Sequence, residues 1–373
     1  MNSALIFFGI LSFLVLIHEL GHFLAAKKSG VKVLEFGLGL PPKMIGKKIG
    51  ETVYSLNLLP FGGFVRLKGE DESDGTHDAD SFVTKSTKQR FLIITAGVLM
   101  NFLLAIFLYQ GLLMYKNFRS DFIPMIFDFK PVIGTLDVRE AVIGGFSEKS
   151  KLKKEDFTPG DYIYSINGVE ITSEKQVKEE ISKTTNNKAN IVFKNIRNVS
   201  SIKEFEVELY EENNQKYMGV MMTKVGTLVY EGNSRFYAGF AHSVNIASFT
   251  YLAISDMVKL SIKHNDSSIV TQNVSGPVGI YSVVDSISKE TNSILSSEML
   301  NLVAMLSLSL AIMNILPIPA LDGGRLVFVI YEMVFRRKPN PKFELAVNKV
   351  GMIVLLGLLI AVTFKDVSQL ISR

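Results

Sequence analysis

The sequence predicts a polytopic α-helical membrane protein with about four transmembrane helices, a membrane-associated β-hairpin and an inserted α/β domain. Two patterns and the composition carry this. Apolar runs at about 3–26, 91–115, 299–316 and 347–364 approach or exceed the roughly 20 residues a bilayer-crossing helix needs. Between the second and third runs lies a polar, β-rich stretch of roughly a hundred residues. The composition is mixed, with 47% hydrophobic residues and mean hydropathy +0.26 over 373 residues. A net charge of +4 and no basic tract with interleaved aromatics exclude nucleic acid as a partner. With no cysteine there is neither a disulfide nor a thiolate metal site.

The first run ends in Lys27 and Lys28, with Gly30 as a helix stop. It lacks a basic leader and a small-residue cleavage site, so it reads as a retained span rather than a signal peptide. Inside it stands His18-Glu19-Leu20-Gly21-His22, the pattern H-E-x-x-H. Positions i and i+4 share a helix face, so His18 and His22 can offer two imidazole nitrogens to one metal ion. Glu19 then lies where a carboxylate can take a proton from metal-bound water. Ionisable groups inside lipid cost roughly 2.5–3.5 kcal/mol each on insertion scales, which argues for function over packing.

The stretch after the first span holds Lys32, Lys43, Lys47, Lys48, Arg66, Lys68, Lys85, Lys88 and Arg90, and marks the cytoplasmic side. Residues 53–67 read as two short strands around the Pro60-Phe61-Gly62-Gly63 turn, a hairpin dipping into the membrane beside the metal. Residues 70–80 read as a solvated acidic loop holding His77. The first part of the membrane core thus covers 1–115. In the second span, Gly97 with Asn101 one turn later predicts close helix packing and one interhelical hydrogen bond. Residues 127–222 form the inserted domain, with strands at Val132–Leu136, Tyr162–Ile166 and Ala189–Phe193. A tight turn at Asn167-Gly168 and a helix over 174–183 capped by Ser173 complete it. Residues 234–264 read as a pair of amphipathic helices lying at the membrane surface or clamping the bundle, with His242 structural. Gly276-Pro277-Val278-Gly279-Ile280 interrupts the helical pattern at the start of the second core part, 276–373. Arg336, Arg337, Lys338 and Lys342 again mark the inner side, leaving both termini outside.

Two histidines leave a catalytic zinc one protein ligand short. Asp322, just beyond the inner end of the third span, is the carboxylate in the right setting. Pro317 and Pro319 break the helix before it, leaving an extended segment that can carry Asp322 to the metal and expose backbone to a peptide.

On His18-Glu19-Leu20-Gly21-His22 and the second signature Asn314-x-x-Pro317-x-Pro319-x-Leu321-Asp322-Gly323, the chain resembles the site-2 protease family of intramembrane zinc metalloproteases. The resemblance covers nearly the whole chain. Asp161-Tyr162-Ile163-Tyr164-Ser165-Ile166-Asn167-Gly168 is similar to the core of a PDZ domain, and one such domain is like the bacterial RseP-type branch, which often has two. The family commonly carries Gly-Pro where this chain has Gly97-Val98. The resemblance implies one zinc per chain held by His18, His22 and Asp322, with Glu19 as base and Asn314 near the substrate oxyanion. It implies a multi-pass protein of the bacterial cytoplasmic membrane that cuts single-span proteins in regulated intramembrane proteolysis. Such substrates are anti-sigma factors already trimmed outside, or remnant signal peptides. The hairpin would bind them by strand addition at Asn57, Leu58, Phe61 and Gly62, with further contacts at Pro317 and Pro319. Oligomerisation is not implied. The rival readings are a non-catalytic PDZ scaffold, for which the metal triad would be dispensable, and a metal transporter. A transporter needs a polar path across the bilayer, whereas the polar groups here cluster at one end.

Overall fold

The structure is a computed structural model that describes residues 2–70, 78–196, 201–291 and 293–371. It divides into two compact units, residues 1–112 with 242–373 and residues 113–241.

In the first unit, helix α1 (Ser3–Lys28) is the element the others pack on. The Asn2 side chain accepts from the Ala4 N–H at its start, and Lys27 and Lys28 lie in its last turn, where cations suit the helix dipole. Gly30, at φ +68°, ends it as expected. The helix is apolar all round, so packing selects the buried stripe: Ile6, Ile10, Leu14, His18 and Gly21, at three- and four-residue spacing. Its first half packs with Val284, Met299 and Leu302. Its C-terminal end joins Val31, Val33, Leu67 and Ile93.

Among the described residues, four helices are long and apolar enough to cross a membrane: α1, α2 (Thr87–Tyr115), α7 (Ser297–Ile315) and residues 342–369 of α9 (Pro341–Ile371). The last is longer than the 347–364 expected, because Lys342, Lys349 and Lys365 are helical too. Helices α2 and α7 meet through Ala105, Tyr109, Ala304 and Leu308, small residues between larger ones. The interhelical hydrogen bond expected near Asn101 is present, but through its main chain: Ser307 Oγ donates to the Asn101 carbonyl at 2.7 Å.

The membrane-associated hairpin differs from expectation. Strands β1 (Val33–Ile49) and β2 (Thr52–Leu67) reverse at Gly50-Glu51, not at the Pro60–Gly63 stretch. Each strand bends midway, at Gly39 (φ +81°) and Gly62 (φ +73°). Leu38 therefore pairs with both Leu56 and Gly63, and Glu35 with both Val53 and Arg66, while Lys43–Ile49 pairs with 52–57. The two halves of β2 do not pair with each other; 33–38 lies between them, leaving 63–67 on an outer edge. The Pro-Gly cluster has turn composition, but here it bends one long strand.

Three further corrections concern helices. Gly276-Pro277 does not break a helix but opens one, α6 (Pro277–Thr291). Pro277 needs no N–H there, and Asp366 Oδ2 accepts from the N–H groups of Gly276 (2.8 Å) and Gly279 (2.9 Å). Over residues 234–264 the end of a 3-10 turn (Gly232–Tyr237) leads into one long helix, α4 (Ala238–His264), rather than a pair of amphipathic helices, and the short α5 (Ser268–Thr271) follows it. His242, Ser243 and Asn245 are buried, and His242 packs edge-on to the Tyr109 ring, so it is structural as expected. Helix α8 (Asp322–Phe335) had no counterpart in the sequence reading. The acidic loop and His77 fall largely outside the described residues; within them, Asp78 and Asp80 pair with Lys68.

The second unit is a seven-stranded sheet. It comprises β3 (Ile123–Pro124), β4 (Thr135–Phe146), β5 (Asp161–Ile166), β7 (Lys188–Asn195), β8 (Ile202–Glu208) and β11 (Val220–Val229), with β6 (Val169–Glu170) paired to β5. The order is β3-β11-β4-β5-β7-β8. Helix α3 (Glu174–Lys183) is capped by Ser173, and Asn167-Gly168 turns with both φ positive, as expected. The strand expected at Val132–Leu136 begins only at Thr135. A hairpin of β9 (Tyr210–Glu212) and β10 (Gln215–Tyr217) stands apart from the sheet. Ile163, Ile166, Val177, Ile181, Ile191, Phe193 and Val207 form the core.

Candidate metal centre

Helix α1 stacks His18 and His22 one turn apart, with their Nε2 atoms 3.1 Å from each other. Asp322 brings Oδ2 to 2.9 Å from His18 Nε2 and 3.2 Å from His22 Nε2. Among the described residues this is the one group of three or more His, Asp or Glu whose ligand atoms lie within 4.8 Å of one another. Tetrahedral coordination with bonds of about 2.0–2.1 Å separates ligand atoms by about 3.3 Å. The observed triangle is close to that. Asp322 Oδ2, although buried and at ion-pair distance, has no hydrogen-bond partner among the described residues, as if aimed at a shared point between the rings. Helix α2 leaves room for such a point only because residue 97 is glycine. A Cβ there would lie 2.8 Å from His18 Cε1 and Nε2, and closer still to His22 Nε2. The donor set and its spacing fit a zinc ion.

The route that brings Asp322 here is dictated locally. Helix α7 stops before Pro317, which cannot donate to a helix, and the chain turns through Ala320 at φ +73°. Asp322 is the first residue of α8. The two glycines after it let that helix start against the turn: a Cβ on Gly323 would meet Ile315 O at 2.5 Å and Leu316 O more closely, and one on Gly324 would meet Ile318 O at 2.5 Å. Two ion pairs fix α8 from other sides, Arg90 with Glu332 at 2.7 Å from α2 and Arg325 with Glu70 from beyond β2. Sequence reasoning missed both, since the spacings of these pairs carry no local signal.

The orientation of His22 is also fixed: its Nδ1–H donates to the Ile93 carbonyl at 2.8 Å, which turns Nε2 toward the triangle. No sequence signal could identify this partner, because the acceptor is backbone. Glu19 and His22 line a cavity of about 200 Å³ with Phe64, Val65, Asp322 and Arg325. Glu19 abuts the outer half of β2, where a Cβ on Gly63 would lie 3.5 Å from Glu19 Cγ.

Of the other residues singled out from sequence, Asn57, Leu58, Gly62, Asn314, Pro317 and Pro319 do not line this cavity. Asn57 is buried, and its Nδ2 donates to the Gly39 carbonyl at 3.0 Å, a brace within the hairpin. Leu58 is exposed, Phe61 lies in β2 and Gly62 is its bend. Asn314 is half-buried in the last turn of α7 and Pro317 is exposed. Pro319 packs on Gly351 of α9 so closely that a Cβ there would overlap it.

The profile described as peptidase family M50 matches residues 6–358. A protein of Clostridium perfringens named as a zinc metalloprotease is 31% identical over 97% of this chain and 98% of its own length. Zinc metalloprotease RasP of Shouchella clausii is 28% identical over the full length of both chains. A protein of Campylobacter jejuni, also named as a zinc metalloprotease, is 31% identical over 98% of this chain and 93% of its own length.

Proposed function

The chain belongs to peptidase family M50 and is a membrane zinc metalloprotease, and from that premise we propose that it cuts single-span proteins within or beside the bilayer. One observation carries the reading: His18 and His22 converge with Asp322, distant in sequence, beside Glu19 on a helix long enough to cross a membrane. On this reading His18, His22 and Asp322 hold the metal. Bound zinc would polarise the scissile carbonyl and lower the pKa of a water toward about 7. Glu19 accepts the proton of that water and returns it to the leaving amine. The Asn314 amide donates to the developing oxyanion.

A substrate helix must unwind first, because its amides are satisfied by its own carbonyls. The outer edge at 63–67, beside Glu19, suits strand addition by the unwound segment. Asn57, Leu58, Phe61, Gly62, Pro317 and Pro319 are the proposed contacts around it. Substrates are anti-sigma factors after a first extracytoplasmic cut, or remnant signal peptides, in regulated intramembrane proteolysis. Residues 127–222 form a PDZ-like domain that filters or delivers substrate; β5, its Asn167-Gly168 turn and helix α3 support the PDZ-like part of that reading. The basic segments support a bacterial inner-membrane protein with both termini outside and the active site toward the cytoplasm. The scaffold alternative leaves the convergence of three ligands without a reason.

The test is Glu19→Gln, which keeps shape and hydrogen-bonding capacity but removes the base. Zinc content should be unchanged and cleavage should fall by about 10²–10⁴-fold, with uncut membrane segments retained on the protein. Full turnover with full zinc would refute the role of Glu19.

A further inference from the structure

We propose that Asn101 is a positioning residue for the metal centre: in the zinc-bound protein its side-chain carbonyl takes up the Nδ1–H of His18, two buried groups left without a partner among the described residues here, and holds that ring with Nε2 toward the metal. The inference rests on the zinc reading above. A histidine ligand needs its second nitrogen held, since that bond sets the tautomer, aims the ring and raises its basicity. For His22 the Ile93 carbonyl does this. His18 Nδ1 is buried and has no hydrogen-bond partner among the described residues.

The same holds for both polar atoms of the Asn101 side chain, in a residue with 0% exposure. Leaving an amide so buried without a partner is costly, and the cost is relieved by any donor within reach. Helix geometry brings this one to the right level. Ile93, Gly97 and Asn101 follow one another at one-turn spacing on α2 and share a face. Ile93 meets His22, and Gly97 lies against both rings. A helical side chain leans toward its own N-terminus, so that of Asn101 covers the turn at Gly97, where no side chain competes. Ser307, donating to the Asn101 carbonyl at 2.7 Å, fixes the backbone from which it reaches.

The test compares zinc affinity, by chelator competition in detergent-solubilised full-length protein, for wild type, Asn101→Leu and Asn101→Asp. The three side chains are of similar size, so packing alone does not rank them by affinity. Asn101→Leu, which removes the acceptor, should weaken zinc binding about 10–100-fold. Asn101→Asp, which keeps an acceptor, should match or exceed wild type. Gly111→Ala, at an open position of the same helix, should leave affinity unchanged. Wild-type affinity in a folded Asn101→Leu protein would overturn the inference. Should that variant fail to fold, the ¹⁵N-histidine spectrum of the unmutated zinc form decides: a slowly exchanging, hydrogen-bonded His18 Nδ1–H supports it, and a freely exchanging one overturns it. His22→Ala separates this inference from the metal reading. Zinc retained there overturns the site itself, whereas zinc lost there but held normally by Asn101→Leu overturns only the role of Asn101.

Discussion

Gly97→Ala adds a single methyl group and should disable the centre. A Cβ at this position lies 2.8 Å from two ring atoms of His18 and nearer still to His22 Nε2. Unstrained carbon contacts begin at about 3.5 Å, so something must retreat by roughly an ångström. The atoms it meets are not the free ends of flexible chains. His22 is held at Nδ1 by Ile93, a residue of the same helix, so the ring cannot swing away without losing that bond. The alternative is for α2 to withdraw from α1, where Gly21 already lies against the Ala96 carbonyl. Overpacking of this kind costs about 1–3 kcal/mol, and a misplacement of about 1 Å in a reacting group costs about 10²-fold in rate. The expected outcome is a protein that inserts normally, binds zinc more weakly and cleaves at about 1% of the wild-type rate or less. Gly111→Ala on the same helix is the control, because nothing lies within 4 Å of its Cβ position. Metal analysis and a cleavage assay on both variants decide the matter. Wild-type zinc and turnover in Gly97→Ala would refute the close approach of α2 to the ligands.

Other outcomes follow from the same contacts. Gly323→Ala should lose zinc as well as stability, because its Cβ would meet the carbonyls of Ile315 and Leu316, backbone atoms that cannot give; metal content and thermal unfolding check this. In the second unit, burial alone would raise the pKa of Asp161, but Lys203 (2.8 Å), the Thr158 N–H (2.8 Å) and Asn195 (2.7 Å) hold it below the ordinary carboxylate value. A depressed folded pKa stabilises above the unfolded pKa of about 3.9, and that stability is lost as pH falls through the folded value. Asp161→Asn should therefore speed amide exchange in β5 and β7 at pH 7, with the difference from wild type shrinking below about pH 4; a difference independent of pH would refute the electrostatic account. Deleting residues 127–222 removes none of the proposed ligands and should leave zinc content intact, while changing which substrates are cut; zinc loss in an inserted protein would place a contribution to the site within that segment.

The convergence of His18 and His22 into a candidate metal centre was legible from the sequence because its chemistry is written in residue type and local spacing. His18 and His22 need only a helix to meet, and the apolar run around them supplies it. Asp322 was legible by a different route, as the carboxylate beyond the inner end of a span. What stayed hidden were relations between distant backbones. The hairpin was misjudged because pairing of 33–38 with two separate halves of β2 is decided across some thirty residues, while Pro60 and Gly62-Gly63 carry the composition of a turn wherever they occur. Helix α8 was missed because Asp-Gly-Gly has poor helix propensity. Its glycines serve close approach to 315–318, a tertiary demand that overrides propensity. The Ile93 carbonyl that steers His22 has no side-chain signature at all.

These hidden relations explain why the ligands can be held firmly in a setting where apolar burial supplies little force between helices. Within lipid, association depends on close backbone approach and van der Waals contact. Gly21 of α1 lies against Ala96 and Met100 of α2, and Gly97 of α2 lies against His18 and His22 of α1, so each helix contributes a glycine to one tight crossing. The buried stripe of α1 runs through His18 to Gly21 without a break, so the residues that pack the helix and those that offer nitrogen atoms form one surface. The third candidate ligand is braced from the same helices: Arg90 of α2 ties down α8 through Glu332, and α9 closes on the preceding turn at Gly351 and Pro319. The distance between imidazoles and carboxylate is therefore set by helix packing rather than by a flexible loop. Substitutions that open the α1–α2 crossing should act on the metal even when they touch no ligand.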